Sequence, residues 1–170
     1  MDERQQLIDR SIPFLAEINN RTAGAELESW LNENYGPDSV LYSELATLIS
    51  TGVADGWAAD IEVQGRNYRR SRIAEPSEDL HFFSITAVYM NSVSRMRGQY
   101  HQHPYGEVNL VVPLDNGAEI AGPRGWQGAG WTAPGPGSHH YPEVRGGALI
   151  ALFYLPAGRI SYDIRPAANR

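Results

Sequence analysis

The sequence predicts a mainly β protein with N-terminal helices, its strands closed into a double-stranded β-barrel of the jelly-roll kind. Three observations carry this. Apolar residues recur at helical spacing only over the first third of the chain. From Trp57 onward the pattern shortens to brief runs rich in Val, Ile, Tyr and Phe. Gly and Pro cluster between those runs, most densely over 117–137, and no helical pattern separates them. Many short strands with Gly/Pro turns fold as a sandwich or barrel rather than as alternating helices and strands.

The elements follow in order. Leu7, Ile8, Ile12, Leu15 and Ile18 lie on one helical stripe, with Pro13 inside it to kink or split the helix. Residues 25–34 form a second helix, with Leu27, Trp30 and Leu31 on one face and Gly36-Pro37 after it. Asp38 or Ser39 caps a third, which carries Val40, Leu41, Leu45, Leu48 and Ile49 and stops at Gly52 and Gly56. Ile61, Val63 and 68–73 read as strands around a Gly65-Arg66 turn. Residues 82–90 alternate strongly, and strands are expected at 93–100, 107–114, 148–155 and 159–164. Residues 1–56 are thus a helical segment packed on the barrel, and 57–170 the barrel, within one structural domain. The 170 residues are enough for one real core.

Composition narrows the function. Net charge is −6, so neither nucleic acid nor an anionic membrane finds a basic face. No apolar run approaches the roughly 20 residues of a spanning helix. The first residues carry no apolar leader, and a cytoplasmic protein is expected. With no cysteine, any metal must be held by nitrogen and oxygen.

Three of the five histidines fall in two short motifs. His101 and His103 are two apart, so on a strand both imidazoles share a face. Glu107 follows Pro104-Tyr-Gly106, a stretch that lets the chain turn and return a carboxylate to the same point. A second turn, Pro134-Gly-Pro-Gly137, precedes Ser138-His139-His140. His139 and His140 face opposite ways on a strand, and the Gly137-x-x-His140 spacing favours His140. Three imidazoles and a carboxylate suit Fe(II), Mn, Ni, Co or Zn and leave a position open for substrate. Tyr100, Tyr105, Tyr141 and Glu143 are near enough in sequence to orient these ligands. His81 has no catalytic role in this scheme.

The segment His101-x-His103-x-x-x-Glu107 resembles the first motif of cupins, and Gly137-x-x-His140 resembles the second. Pro134 is one residue early for that second motif, and the glycine expected well before the histidines is absent. Longer runs are more specific. Arg72-Ile-Ala-Glu75-Pro76, Phe83-Ser-Ile, Val88-Tyr89-Met90, 103–114, Gly130-Trp131, 136–140 and 151–158 are together similar to the 4-hydroxylaminobenzoate lyase family. The resemblance implies a lyase that converts 4-hydroxylaminobenzoate to protocatechuate and ammonia in nitrobenzoate degradation. It implies a divalent transition metal on His101, His103, Glu107 and His140, and a homodimer. Glu107, Tyr105 and Glu143 are then the candidates for proton transfer.

An aromatic carboxylate calls for a cation and a flat apolar slot. The chain has no lysine, so its side-chain cations are arginines, which pair with carboxylates as a fork. Arg69, Arg70, Arg72, Arg95 and Arg97 lie on or near expected strands, and Arg72 comes first because it stands in a family-like run. Tyr89, Phe83 and Trp131 are the expected slot walls. The alternatives are a cupin lyase or dioxygenase acting on another small carboxylate, or a non-enzymatic small-molecule-binding cupin.

Overall fold

A computed structural model describes residues 2–166. Helices α1 (Glu3–Ile18), α2 (Ala25–Tyr35) and α3 (Val40–Asp55) come first, and twelve strands follow. Pro13 does not split α1. Its ring is exposed, so the carbonyl that loses a partner there faces water. Ser39, and not Asp38, caps α3: its hydroxyl accepts from the Tyr42 N–H at 3.2 Å.

Strands β1 (Ile61–Glu62), β2 (Tyr68–Ala74), β3 (Phe83–Ser92), β12 (Gly147–Pro156), β6 (Val108–Pro113) and β9 (Gly130–Thr132) form a six-stranded antiparallel sheet in the order β1-β2-β3-β12-β6-β9. A four-stranded sheet runs β4 (Met96–Arg97), β11 (Glu143–Arg145), β7 (Glu119–Gly122), β8 (Gly125–Gln127). A third pair joins β10 (Ser138–His140) to β5 (His101–His103).

The pleat of the large sheet sorts its side chains into two layers. Ile85, Ala87, Leu110, Ile150, Leu152 and Tyr154 point outward and share one core with Leu7, Leu15, Leu31, Leu45 and Ile49 of the helices. Val88, Met90, Val111, Leu149, Ala151 and Phe153 point inward, against Ala118, Ile120 and Val144 of the smaller sheet. The chain is therefore a helix layer on a two-sheet barrel. Long alternating runs made the central strands readable, because both faces of each are buried.

Three expectations are corrected. Residues 93–100 are strand only at Met96–Arg97, since the segment is mostly exposed and its pairing to β11 covers two residues. Residues 159–164 are not a strand: only Ser161 pairs, by an isolated bridge to Gln102. The Gly/Pro-rich 117–137 holds three short strands, β7, β8 and β9, which carry too few residues to show a period of their own.

Candidate metal centre

The site is built on β5 and β10. Their register sets His140 opposite His101, Ser138 opposite His103 and His139 opposite Gln102. Directly paired residues share a face. His101, His103 and His140 therefore converge inward, while His139 is exposed and contacts the Tyr100 hydroxyl on the outer side. The preference for His140 is a consequence of this pairing.

The three imidazoles meet through the same atom. His101 Nε2 lies 2.9 Å from His103 Nε2 and 3.2 Å from His140 Nε2. Gly106, at φ +81°, turns the chain so that buried Glu107 returns its Oε2 to 3.0 Å from His103 Nε2. The hydrogen-bond network assigns the tautomers of two rings. His101 Nδ1 is 2.9 Å from the Gln99 carbonyl, which can only accept. The Ser138 hydroxyl donates to the Gly135 carbonyl, so it accepts from His103 Nδ1, 3.0 Å away. Both rings carry their proton on Nδ1 and turn a bare Nε2 lone pair to the centre. Bare acceptors this close repel unless a cation or a proton lies among them. Second-nitrogen bonds to a carbonyl and a hydroxyl are also the usual orienting partners of metal-bound histidine.

Electrostatics agree. Burial pushes His140 down to about 4, helped by the neighbouring imidazoles, and burial also lowers His101. Neutral imidazole is the form that binds a metal. Burial alone would raise the Glu107 carboxyl; positive charge at the His103 and His101 positions, with the Asn109 amide, outweighs it and holds it below the ordinary value, and with neutral rings a cation at the centre would be the source of that charge. Asn109 Nδ2 donates to Glu107 Oε2 at 3.1 Å and to Thr132 Oγ1 at 3.0 Å. Glu107 Oε1 is buried with no hydrogen-bond partner among the described residues. The residues fit a divalent cation.

Beside the cluster the barrel opens into a cavity of about 460 Å³, walled by Val63, Thr86, Phe153, Leu155 and Tyr162, with Arg70 and Arg72 on one side. The Tyr162 ring, on the cavity wall, lies 5.8 Å from the His101 ring, so this one side chain links the cavity to the imidazole cluster.

Other expected site residues lie elsewhere. Glu143 is clamped by Arg95, through two bonds of 2.9 Å, and by Arg97 at 2.6 Å. Tyr105 is 54% exposed and borders an outer groove with His81 and Phe82. Trp131 is 1% exposed, lies against Phe14 and donates its indole N–H to the Tyr35 carbonyl, in the helix-side core. Phe83 belongs to that same core. Tyr89 is on the outer face of β3, under the Arg69 guanidinium. Arg72 is engaged by Glu75 and the Gly158 carbonyl.

Asn109, Ser138 and Tyr162 escape a reading of the sequence alone, while Arg70 is named there but ranked behind Arg72. Asn109 and Ser138 each stand two residues from a named candidate, Glu107 and His140, and so share its face. That spacing was a usable signal. Tyr162 had none, because its segment is held by a single bridge.

A family model described as 4-hydroxylaminobenzoate lyase matches residues 9–162. The chain is 71% identical over 169 residues to a 4-hydroxylaminobenzoate lyase of Nocardioides sp. (strain LMS-CY), covering 99% of this chain and all of that one. It is 59% identical over 173 residues to a 4-hydroxylaminobenzoate lyase of Pseudomonas putida, covering 97% and 98%. Among solved structures it is similar to the DMSP lyase DddQ from Ruegeria pomeroyi DSS-3, at 14% identity and a TM-score of 0.43, covering 96% and 98%. Matched over nearly its whole length by the family model and by relatives of this identity, the chain belongs to the 4-hydroxylaminobenzoate lyase family.

Proposed function

We propose that this protein is a metal-dependent lyase converting 4-hydroxylaminobenzoate to protocatechuate and ammonia. The substrate follows from family membership. The metal dependence rests on one observation: bare Nε2 lone pairs of His101 and His103 converge with His140 Nε2 and the Glu107 carboxylate. His101, His103 and His140 hold the ion, with Glu107 as fourth ligand.

The reaction is redox-neutral. Arylhydroxylamine and one water give a catechol and ammonia: the N–O and C–N bonds break, two ring C–O bonds form, and one ring C–H is lost as a proton. A divalent ion, if held by His101, His103, His140 and Glu107, would supply Lewis acidity. The chain supplies the rest. Asn109 and Thr132 fix the Glu107 carboxylate, and Gln99 and Ser138 fix two imidazoles, so the ligand set is rigid before substrate enters. Phe153, Leu155 and Val63 give the aromatic ring an apolar wall and exclude water. Of the three expected proton carriers only Glu107 adjoins the imidazoles; Glu143 is held by arginines and Tyr105 faces the outer groove.

The test is metal analysis of the purified protein, then incubation with 4-hydroxylaminobenzoate. One divalent ion per chain, and equal amounts of protocatechuate and ammonia without oxygen uptake, are expected. Oxygen consumption in step with product would replace the lyase by a dioxygenase. The protein is also expected to be a homodimer, which light scattering tests as a mass of about twice 18.8 kDa.

A further inference from the structure

Of the arginines that meet no carboxylate among the described residues, Arg70 lines the cavity. Arg10, Arg72, Arg95, Arg97, Arg124 and Arg145 each meet a carboxylate. Arg70 is half-buried on β2, on the same inward face as Tyr68, and lines the cavity. Among the described residues its polar contact is with Tyr162: Nη1 donates to the phenolic oxygen, and the guanidinium lies 4.6 Å from the ring centroid. A guanidinium has five N–H donors, so one hydroxyl leaves most of the fork unused. Among the described residues no carboxylate is in ion-pair contact with it, although Glu62 lines the same cavity, and a half-buried cation left so is costly unless a ligand completes it.

Tyr162 is the other half of the feature. Its oxygen accepts from Arg70, so its own O–H remains to donate. Burial pushes the phenol up to about 12, which keeps that proton in place at neutral pH. The Tyr162 ring also lies against His101, 5.8 Å between centroids. The cation and the phenol therefore share one cavity, with Phe153 and Leu155 as its apolar wall, and the phenol ring is its contact with the imidazole cluster.

We propose that Arg70 and Tyr162 form the subsite that receives the carboxylate of an aryl carboxylate, with the ring along the apolar wall and the opposite end of the substrate at the imidazole cluster. This rests on the function proposed above and deepens it. Arg70 is the specificity-determining cation in place of Arg72, whose fork is already taken by Glu75 and the Gly158 carbonyl. Tyr162 positions Arg70 and adds a donor. A fork on a carboxylate in a partly desolvated place is among the stronger charge-assisted contacts.

The experiment uses the full-length, metal-loaded protein. KM and kcat are measured for 4-hydroxylaminobenzoate and for its neutral amide, 4-hydroxylaminobenzamide. Binding of the unreactive 4-aminobenzoate is measured by calorimetry. Arg70→Gln is expected to raise KM for the acid at least about 30-fold, with a smaller change in kcat. The amide is expected to be unaffected, which also shows that the variant is folded. Arg70→Lys restores the acid only partly, because an ammonium lacks the fork. Tyr162→Phe raises KM for the acid about 3- to 10-fold. Equal losses for acid and amide would overturn the proposal, as would an acid-specific loss in Arg72→Gln but not in Arg70→Gln. Calorimetry separates this proposal from the assigned reaction. If wild type does not turn over 4-hydroxylaminobenzoate but Arg70→Gln still abolishes 4-aminobenzoate binding, the subsite stands and the assigned reaction falls. If turnover is found and 4-aminobenzoate binds wild type and Arg70→Gln equally, the reverse holds.

Discussion

At the scale of single residues, what a side chain does in this site is decided by where its second polar atom goes. His101 and His103 spend Nδ1 on Gln99 and Ser138, which leaves Nε2 to the centre. His139 has the same side chain and the next position in sequence, but it faces outward toward Tyr100. His101→Ala or His103→Ala should therefore lose bound metal and lower kcat/KM by a factor of about 1,000 or more. His139→Ala should keep full metal stoichiometry; elemental analysis with steady-state kinetics checks both. Glu143 shows the opposite outcome for a carboxylate. Hydrogen bonds from Arg95, then from Arg97, hold it below its ordinary value against a smaller effect of burial. A carboxylate depressed in the folded state stabilises above the unfolded-state value, and that contribution is lost as pH falls through the depressed one. Urea denaturation of Glu143→Gln is expected to show a lower midpoint than wild type at pH 7. The gap should close in acid, where the wild-type carboxyl is protonated too.

At the scale of elements, one turn and one short strand pairing aim the three imidazoles and the Glu107 carboxylate. The turn between β5 and β6 works because Gly106 adopts φ +81° and because nothing larger fits there: an added Cβ would come within 2.7 Å of the Ala23 Cβ and 3.0 Å of the Pro134 carbonyl. Gly106→Ala is expected to cost about 1–3 kcal/mol through backbone strain. Metal affinity should fall with it, because Glu107 is the next residue. Chemical denaturation and metal titration read the two effects. The β5–β10 pair is only three residues long on each side, yet its register alone decides which of two adjacent histidines faces inward. The helices stay out of the chemistry. Asn32 ties α2 to both the Trp131 N–H and its carbonyl, and buried Glu28 accepts from the Ala133 N–H while pairing with Arg124. These contacts hold β9, and with it Thr132, which steadies Asn109 and so Glu107.

At the scale of the whole molecule, the barrel carries two opposed needs. Its interior is packed by Val88, Met90, Leu149 and Ala151 at one end and holds a polar centre and cavity at the other. Glu107 Oε1, Asn109 Oδ1 and Ser84 Oγ lie buried on the inward face without partners, an arrangement that costs stability in the ligand-free chain. A cation bound only by the folded state returns some of it. With free metal at about 100 times Kd the gain is about 2.7 kcal/mol. Stripping the ion with a chelator should then lower Tm by roughly 5–10 °C for a chain of this size, and adding one equivalent back should restore it in calorimetry. An unchanged Tm would mean that no such ion is held. Among the described residues no helix is long and apolar enough to cross a membrane.

Much of this was legible in the sequence. Period-2 alternation and dense Gly/Pro turns specify a barrel, because strands buried on both faces need long apolar runs. The His101-x-His103 spacing places two imidazoles on one face whatever surrounds them. What the linear chain does not carry is register and partnership across the barrel. Residues 93–100 and 159–164 have strand-like composition but too little sheet beside them to pair. Arg72 and Arg70 are equivalent as letters two apart on one strand. They differ only because Glu75 and Gly158 fold back onto the first, while the tail brings a neutral phenol, Tyr162, onto the second. The sequence by itself determined the fold class and the inward pair of histidines, since both depend on local periodicity. The Gly137-x-x-His140 spacing also pointed to His140, and the β5–β10 register gives the reason; the tertiary structure alone decided which arginine keeps its fork free of a carboxylate, because that depends on contacts between segments far apart in the chain.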